Sequence, residues 1–557
     1  GFNFVLLSLV FTGNIMGENI IYAYRGSTGF GVRRGIKPSE AVFEDKENPK
    51  VNPCRVFEWS NTGRYFAYCD TVKTCVIEST TGRVVLSADL RRTTEMMFSP
   101  KDSLFLTWEP YTAYVSKGGE KKTAEPNLRI WNLNSGEHVS TLTAQKQSSW
   151  KPQFSDDETV ALRLIGSELL VHRNNLFEKY DKKLTISRME GFALSPGQNL
   201  HVAVYSGAHG GQPANVQVRR LDDNFSIVCN KTFFKSDSAK FNWNAKGTGL
   251  LILTAVDVDT ANKSYYGEQS IHLVNVITGD ACQVPLGKNG PVYQAKWNPN
   301  GREFAVCYGF MPARVTLYNL RAEAVYNMED GPRNEIHYNA FGSVLLVCGF
   351  GNLATGKMEF WDTEKMKLLV DISVPNTTYL EWAPDGQHFI TATTCPRLRI
   401  DNCYRLWHYT GRLLAEIPYA SPQEELWQVA FRKLPGVYNP FPVKELTKEQ
   451  KEGAGLLVKS RGPDGSPAVP AGAVAKAGAY VPPHLRKEGS NKGSLGTASK
   501  PSMSENERKI KNLEKKVADI EALKKKQESG EPLELNQLDK IKKEAELLAQ
   551  IQALRVN

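Results

Sequence analysis

Short apolar runs alternate with polar turns along most of the first 430 residues. The stretch "EWAPDGQHFITATT", Glu381 to Thr394, shows the unit: an aromatic anchor, a turn containing Pro, Asp and Gly, then an apolar run. This pattern predicts two strands joined by a hairpin turn, with Gly386 supplying the positive φ. The phrase recurs as "EWSNTGRYFAYC" at Glu58, "MFSPKDSLFLTW" at Met97, "NWNAKGTGLLILT" at Asn242 and "KWNPNGREFAVCY" at Lys296. The residue after each anchor is Ser60, Ser99, Ser155, Ser195, Asn244, Asn298, Asn339 or Ala383, at intervals of 39, 56, 40, 49, 54, 41 and 44 residues. A third strand with an aromatic near its end follows, as in "LRIWNLNSGE" at Leu128 and "MEFWDTEK" at Met358. A strand unit repeating at this period predicts an all-β, WD-repeat-like β-propeller, which places Trp382 in the core between blades.

Eight anchors are clear. A ninth blade would be shared between "NIIYAYRG" (Asn19 to Gly26) and "LWQVAFRK" (Leu426 to Lys433), closing the ring and hiding its edges. Nine blades are expected, with eight the alternative count. The ring is assigned to residues 16–433, and residues 1–15 read as a non-native or upstream extension. The apolar "FNFVLLSLVF" (Phe2 to Phe11) has no basic residue before it, unlike a signal peptide, and no segment is long enough to span a membrane as a helix.

After the ring the composition changes. Residues 434–502 are rich in Gly, Ala, Pro and Ser, the composition of a disordered linker. One island in it, "AYVPPHLRKE" (Ala479 to Glu488), offers Tyr480, Pro482, Pro483, His484, Arg486 and Lys487. Its prolines stiffen the backbone toward polyproline II, so docking would cost less entropy. Residues 503–557 read as a helical hairpin. Ile510, Leu513, Val517 and Ile520 form one stripe, Gly530-Glu531-Pro532 breaks the helix, and Leu538, Ile541, Ala545 and Leu548 form a second.

Charge sharpens this division. The net charge is +9, but Arg432 to Asn557 holds 24 Lys/Arg against 16 Asp/Glu, while the preceding chain holds 45 against 44. A neutral ring with a basic tail suits an anionic partner. Nine cysteines without a C-x-x-C pair read as reduced core residues of a cytosolic protein.

Chemistry-bearing motifs are scarce. "GNLATGKM", Gly351 to Met358, nearly spells a phosphate loop, but Met358 stands where a hydroxyl would ligate Mg²⁺ and a strand follows where a helix is needed. The histidines lack metal-binding spacing, and no G-x-S-x-G elbow is present. No enzyme, cofactor or metal is expected. The loops between second and third strands are long and should gather on one face. They carry Lys121, Lys122, Arg314, Arg397 and Arg399 together with Tyr265, Tyr266 and Phe310. Basic groups interleaved with aromatics suit RNA backbone and unstacked bases, and suit an acidic protein surface nearly as well.

The marked stretches "SYYGEQSIH", "KNGPVYQAKWN", "YGFMPARVTLYNL", "GFGNLATGKMEFWD", "TATTCPRLRIDNCYRLWHYTG" and "YVPPHLR" resemble the eukaryotic translation initiation factor 2A family. The terminal "KIKNLEKKVADIEALKKKQESGEPLELNQLDKIKKEAELL" resembles it too. The resemblance implies a nine-bladed propeller that binds the small ribosomal subunit and promotes GTP-independent binding of initiator methionyl-tRNA. Tail contacts to tRNA, mRNA or other initiation factors are implied as well. Two alternatives stand beside it. The ring also resembles parts of the propeller of the b subunit of initiation factor three, without the recognition domain expected before that ring. A scaffold for protein–protein assembly without direct RNA binding is the other.

Overall fold

This computed structural model describes residues 19–37, 39–45, 50–115, 122–257, 267–351, 356–420 and 422–456, together with isolated positions from 517 to 552. Nine four-stranded antiparallel sheets form the ring. Blades 2 to 9 each run in chain order from the innermost strand a to the outermost strand d. Their inner strands are Val56–Trp59, Glu95–Phe98, Gln153–Phe154, Met189–Leu194, Ser238–Trp243, Val292–Trp297, Glu335–Tyr338 and Tyr379–Trp382. Blade 1 joins the two ends of the ring. Ile21–Gly26, Gly29–Arg34 and Glu40–Asp45 form its outer three strands, and Leu426–Phe431 is its inner strand. The register pairs Tyr22 with Phe431, Ala23 with Ala430 and Tyr24 with Val429. The ninth blade is thus built from the two segments expected to share it.

The recurring anchors form the turns between strands a and b. Ser60, Ser99, Ser155 and Ser195 are buried, and each Oγ accepts the first amide of strand b: Tyr65 at 2.9 Å, Leu104 at 2.8 Å, Val160 at 3.0 Å and His201 at 2.8 Å. Where Asn takes the place, its longer side chain also reaches the next blade. The Nδ2 groups of Asn244, Asn298 and Asn339 donate to the carbonyls of Gly301 at 3.0 Å, Gly342 at 3.1 Å and Gly386 at 2.9 Å. Gly342 and Gly386 take positive φ, and a methyl at Gly342 would collide with the Asn298 amide.

Inner strands reach both neighbours because alternate residues face opposite ways. Backward, the indole Nε1 groups of Trp59, Trp243, Trp297 and Trp382 donate to the carbonyls of Ala430, Ala193, Asn242 and His337 at 2.8–3.2 Å. Forward, Gln153 brackets Phe192 and Leu194, Gln294 accepts from the Ile336 amide at 2.9 Å, and Gln428 donates to the Phe57 carbonyl at 3.2 Å. Trp382 is therefore a strut between blades 8 and 9, as its repeated phrase predicted. Nine apolar clusters of buried residues fill the nine blade-to-blade junctions. Each large side chain buried there contributes about 1.5–3 kcal/mol relative to exposure.

The packed chain runs past residue 433, which corrects the start of the expected linker. Leu446 is buried on blades 8 and 9 with Phe441, Val443, Ala454 and Leu456 around it. The Phe441 ring sits 5.2 Å from Tyr409 and 6.2 Å from Phe341. Thr447 caps a short helix, Lys448–Glu452, through a capping box. Five apolar residues among Pro and Lys dock a stretch whose composition reads as linker. Residues 457–502, including the Tyr480 to Lys487 motif, and residues 1–15 lie outside the described residues. In the separate C-terminal unit, positions 517, 520, 521, 524, 544, 548 and 552 are helical and Lys524 pairs with Glu544.

All nine cysteines are free and only Cys282 is exposed. Burial raises the Cys54 and Cys307 thiols to about 12. Among the described residues, no helix is long and apolar enough to cross a membrane, and no three His, Cys, Asp or Glu side chains are grouped to hold a metal.

Candidate functional site

In each blade the b–c loop and the d–a connection lie at the same end of the strands, so these segments share one face of the ring. The phosphate-loop look-alike is one of these loops. Gly349 pairs with Lys357 across it, and the strand Lys357–Asp362 follows. Lys357 is held by Glu359 at 3.4 Å and Asp371 at 3.5 Å.

The most complete constellation lies on blade 7. Its b–c loop carries Phe310 and ends at Arg314, the first residue of strand Arg314–Asn319. The connection from blade 6 brings Lys288, and the connection to blade 8 brings Asp330. Arg314 Nε donates to Asp330 Oδ1 at 2.7 Å, while Lys288 Nζ donates to Asp330 Oδ2 at 2.9 Å and to the Pro312 carbonyl. Asp330 thus bridges two cations. Their hydrogen bonds hold its carboxyl below the usual range, and Asp330 raises the Arg314 guanidinium in turn. Phe310, on the same loop, is 46% exposed.

Two glycines let the loops meet. Gly290 has φ +133°, and a methyl there would strike the Phe310 amide nitrogen. Gly309 has φ +98°, and a methyl there would lie 2.8 Å from Lys288 Cδ, so the lysine stem crosses bare backbone. Phe310 N donates to the Asn289 carbonyl at 3.0 Å.

A second group lies on blade 9 and blade 1. Arg397 is exposed, with Nη1 3.3 Å from the Thr378 carbonyl. Arg399 lies 3.3 Å from Glu425, whose other carboxylate oxygen accepts from Trp427 Nε1 at 2.9 Å. Arg25 sits over the Trp427 ring at 5.8 Å and donates to Gln428 at 2.7 Å. Blade 8 separates this group from Arg314 and Phe310. Lys122 belongs to a short strand, Lys122–Ala124, paired with Ala113–Val115 in the blade 3 loop. Lys121, Tyr265 and Tyr266 lie outside the described residues.

The arginines expected on this face are there, but two of them carry carboxylate partners. Lys288, Asp330, Glu425 and Trp427 escaped the residue-level reading. Lys288 did sit in "KNGPVYQAKWN", and Glu425 and Trp427 in "ELWQV", stretches that resemble the same family, and that was the available signal.

Ring and face together define a nine-bladed β-propeller with basic and aromatic groups on its loop face. Residues 231–429 match the family described as "Eukaryotic translation initiation factor eIF2A". The chain is 49% identical to eukaryotic translation initiation factor 2A of Caenorhabditis elegans over 574 aligned residues, covering 97% of this chain and 100% of the relative. A solved structure described as "Crystal structure of the eukaryotic initiation factor" matches with a TM-score of 0.68 and 30% identity, covering 75% of this chain and 100% of that one. The chain belongs to the eukaryotic translation initiation factor 2A family. The b subunit of eukaryotic translation initiation factor 3 from Xenopus laevis is 24% identical over 367 residues, covering 64% of this chain and half of that protein.

Proposed function

We propose that this protein is a cytosolic initiation factor whose ring binds the small ribosomal subunit through the loop face and promotes GTP-independent binding of initiator methionyl-tRNA. The observation that carries this reading is the 49% identity spanning the whole length of a named initiation factor. The loop face supports it with cations and an open aromatic ring, the groups that meet phosphates and unstacked bases. The basic tail, including Tyr480, Pro482, Pro483, His484, Arg486 and Lys487, would extend that reach to mRNA or to other factors.

The test is co-sedimentation with purified small subunits, comparing the full chain with a variant carrying Arg314→Glu, Arg397→Glu and Arg399→Glu. The variant is expected to stay in the supernatant, with wild-type binding falling steeply as salt rises. Binding that survives both nuclease and high salt would point to a protein scaffold instead. Filter binding of initiator methionyl-tRNA with and without GTP tests the second half, and a strict GTP requirement would sink it.

A further inference from the structure

The geometry points to a nucleotide-sized subsite on blade 7, in which Lys288 and Arg314 take an RNA phosphate, Phe310 stacks the adjoining base, and Asp330 is the internal anion that the phosphate displaces. This rests on the loop face being the RNA-docking face and adds to it a gate.

The parts stand close enough for one nucleotide. Arg314 and Lys288 converge on the two oxygens of one carboxylate, at 2.7 and 2.9 Å. A phosphate offers the same arrangement of anionic oxygens, so it fits the place that Asp330 occupies. The Gly290 and Gly309 contacts bring the Phe310 backbone and the Lys288 stem together, so the two residues belong to one loop cluster. All three charged side chains are partly open to solvent, at 22% for Lys288, 29% for Asp330 and 32% for Arg314. An incoming anion therefore reaches them without unfolding the loop.

The carboxylate lowers affinity in two ways. It neutralises one of the two cations, and its two ion pairs must open before a phosphate can take both. Solvent-exposed pairs are weak, so the gate is a modest one. It discriminates as well: a ligand bringing a lone charge competes poorly with a bridging carboxylate, whereas a polyphosphate chain adds contacts elsewhere on the face. Partners without anionic groups gain nothing from opening it.

The experiment measures binding of the full chain to purified small subunits, and to a fluorescent twelve-residue oligouridylate, over a salt series. Asp330→Asn is expected to tighten binding roughly three- to tenfold, in keeping with two weak ion pairs. It should also steepen the salt dependence by about 0.7 in log–log slope, one extra single-strand phosphate contact. Asp223→Asn removes the same charge from a side chain that is fully exposed on the opposite face, and should change neither quantity. Lys288→Gln placed on top of Asp330→Asn should return the affinity to near wild type, and Phe310→Ala should weaken both backgrounds. Equal tightening by Asp223→Asn, or unchanged or weaker binding by a folded Asp330→Asn, overturns the gate. A thermal melt establishes that the variant is folded, and Asp330→Ser serves if the asparagine variant is not. Lys288→Glu with Arg314→Glu separates the two failures. If that pair releases the protein while Asp330→Asn does nothing, only the gate is wrong. If the pair has no effect, the docking face is wrong as well.

Discussion

Asn339 allows the two jobs of a blade anchor to be measured separately. Its Oδ1 accepts the Val344 amide at 3.1 Å within its own blade, while Nδ2 donates to Ser343 Oγ at 3.1 Å and crosses to the Gly386 carbonyl at 2.9 Å. The side chain is fully buried, so no water replaces a lost partner. Asn339→Ser recreates the arrangement at Ser60, Ser99, Ser155 and Ser195: the turn bond survives and the cross-blade bond is lost. Asn339→Ala loses both. A buried polar group left unpaired costs about 1–3 kcal/mol, so the serine variant should lose about 1.5 kcal/mol and the alanine variant about 3 kcal/mol. With about 2.1 cal/mol/K of unfolding entropy per residue, a ring of roughly 430 residues loses about 1 °C of Tm per kcal/mol. Thermal melts followed by tryptophan fluorescence should therefore rank wild type, serine and alanine at even steps of about 1.5 °C. A serine variant that melts with wild type would refute the cross-blade contribution. Serine and alanine variants melting together would refute the turn contribution.

Two further predictions concern the closing blade. Burial raises the Glu381 carboxyl from its ordinary 4.5 to about 7, although the Phe431 amide and the Tyr379 hydroxyl both favour its ionised form. The folded state then keeps a proton that the unfolded chain releases, so ionisation costs stability as pH climbs from 4.5 to about 7 and adds no further cost above it. Glu381→Gln should gain on wild type across that window and match it in acid; parallel urea midpoints at every pH would contradict this. Gly63 has φ +77°, and a methyl there would strike the Lys433 carbonyl, so Gly63→Ala should loosen the inner strand of blade 1. Faster hydrogen exchange is expected in Leu426–Phe431 than in Tyr379–Trp382, and unchanged protection would disprove the contact's importance.

Blade count was legible because the a–b turn makes a local chemical demand. In most blades a Ser or Asn oxygen meets the next strand's amide, and in blade 9, where the anchor is Ala383, Asp385 Oδ1 accepts the His388 amide instead, so polar turn residues return at each period. Blade 1 was legible for a different reason: Leu426–Phe431 carries a strand pattern but has no pairing partner nearby in sequence. The Lys288–Asp330–Arg314 bridge was hidden because it joins residues from two different inter-blade connections and a strand start, which only the folded blade 7 brings together. Arg399 shows the same limit, since its partner Glu425 lies just before the strand that closes blade 1. The docked stretch around Leu446 was hidden by composition: Phe441 and Leu446 act through the surface they meet, on blades 8 and 9, and not through any period of their own.

The order in which the ring is completed has a consequence for its synthesis. Ile21–Gly26 leaves the ribosome before the ring's other strands, yet its inner neighbour, Leu426–Phe431, is made only after blades 2 to 9. Throughout elongation the nascent ring carries an unpaired sheet edge, the kind of surface that chaperones cover and stray strands capture. A chain that ends between residues 419 and 425 would have the strands of blades 2 to 9 but an open first blade. Only a chain that includes Leu426–Phe431 can pair that edge, so the first strand made is sealed by the last.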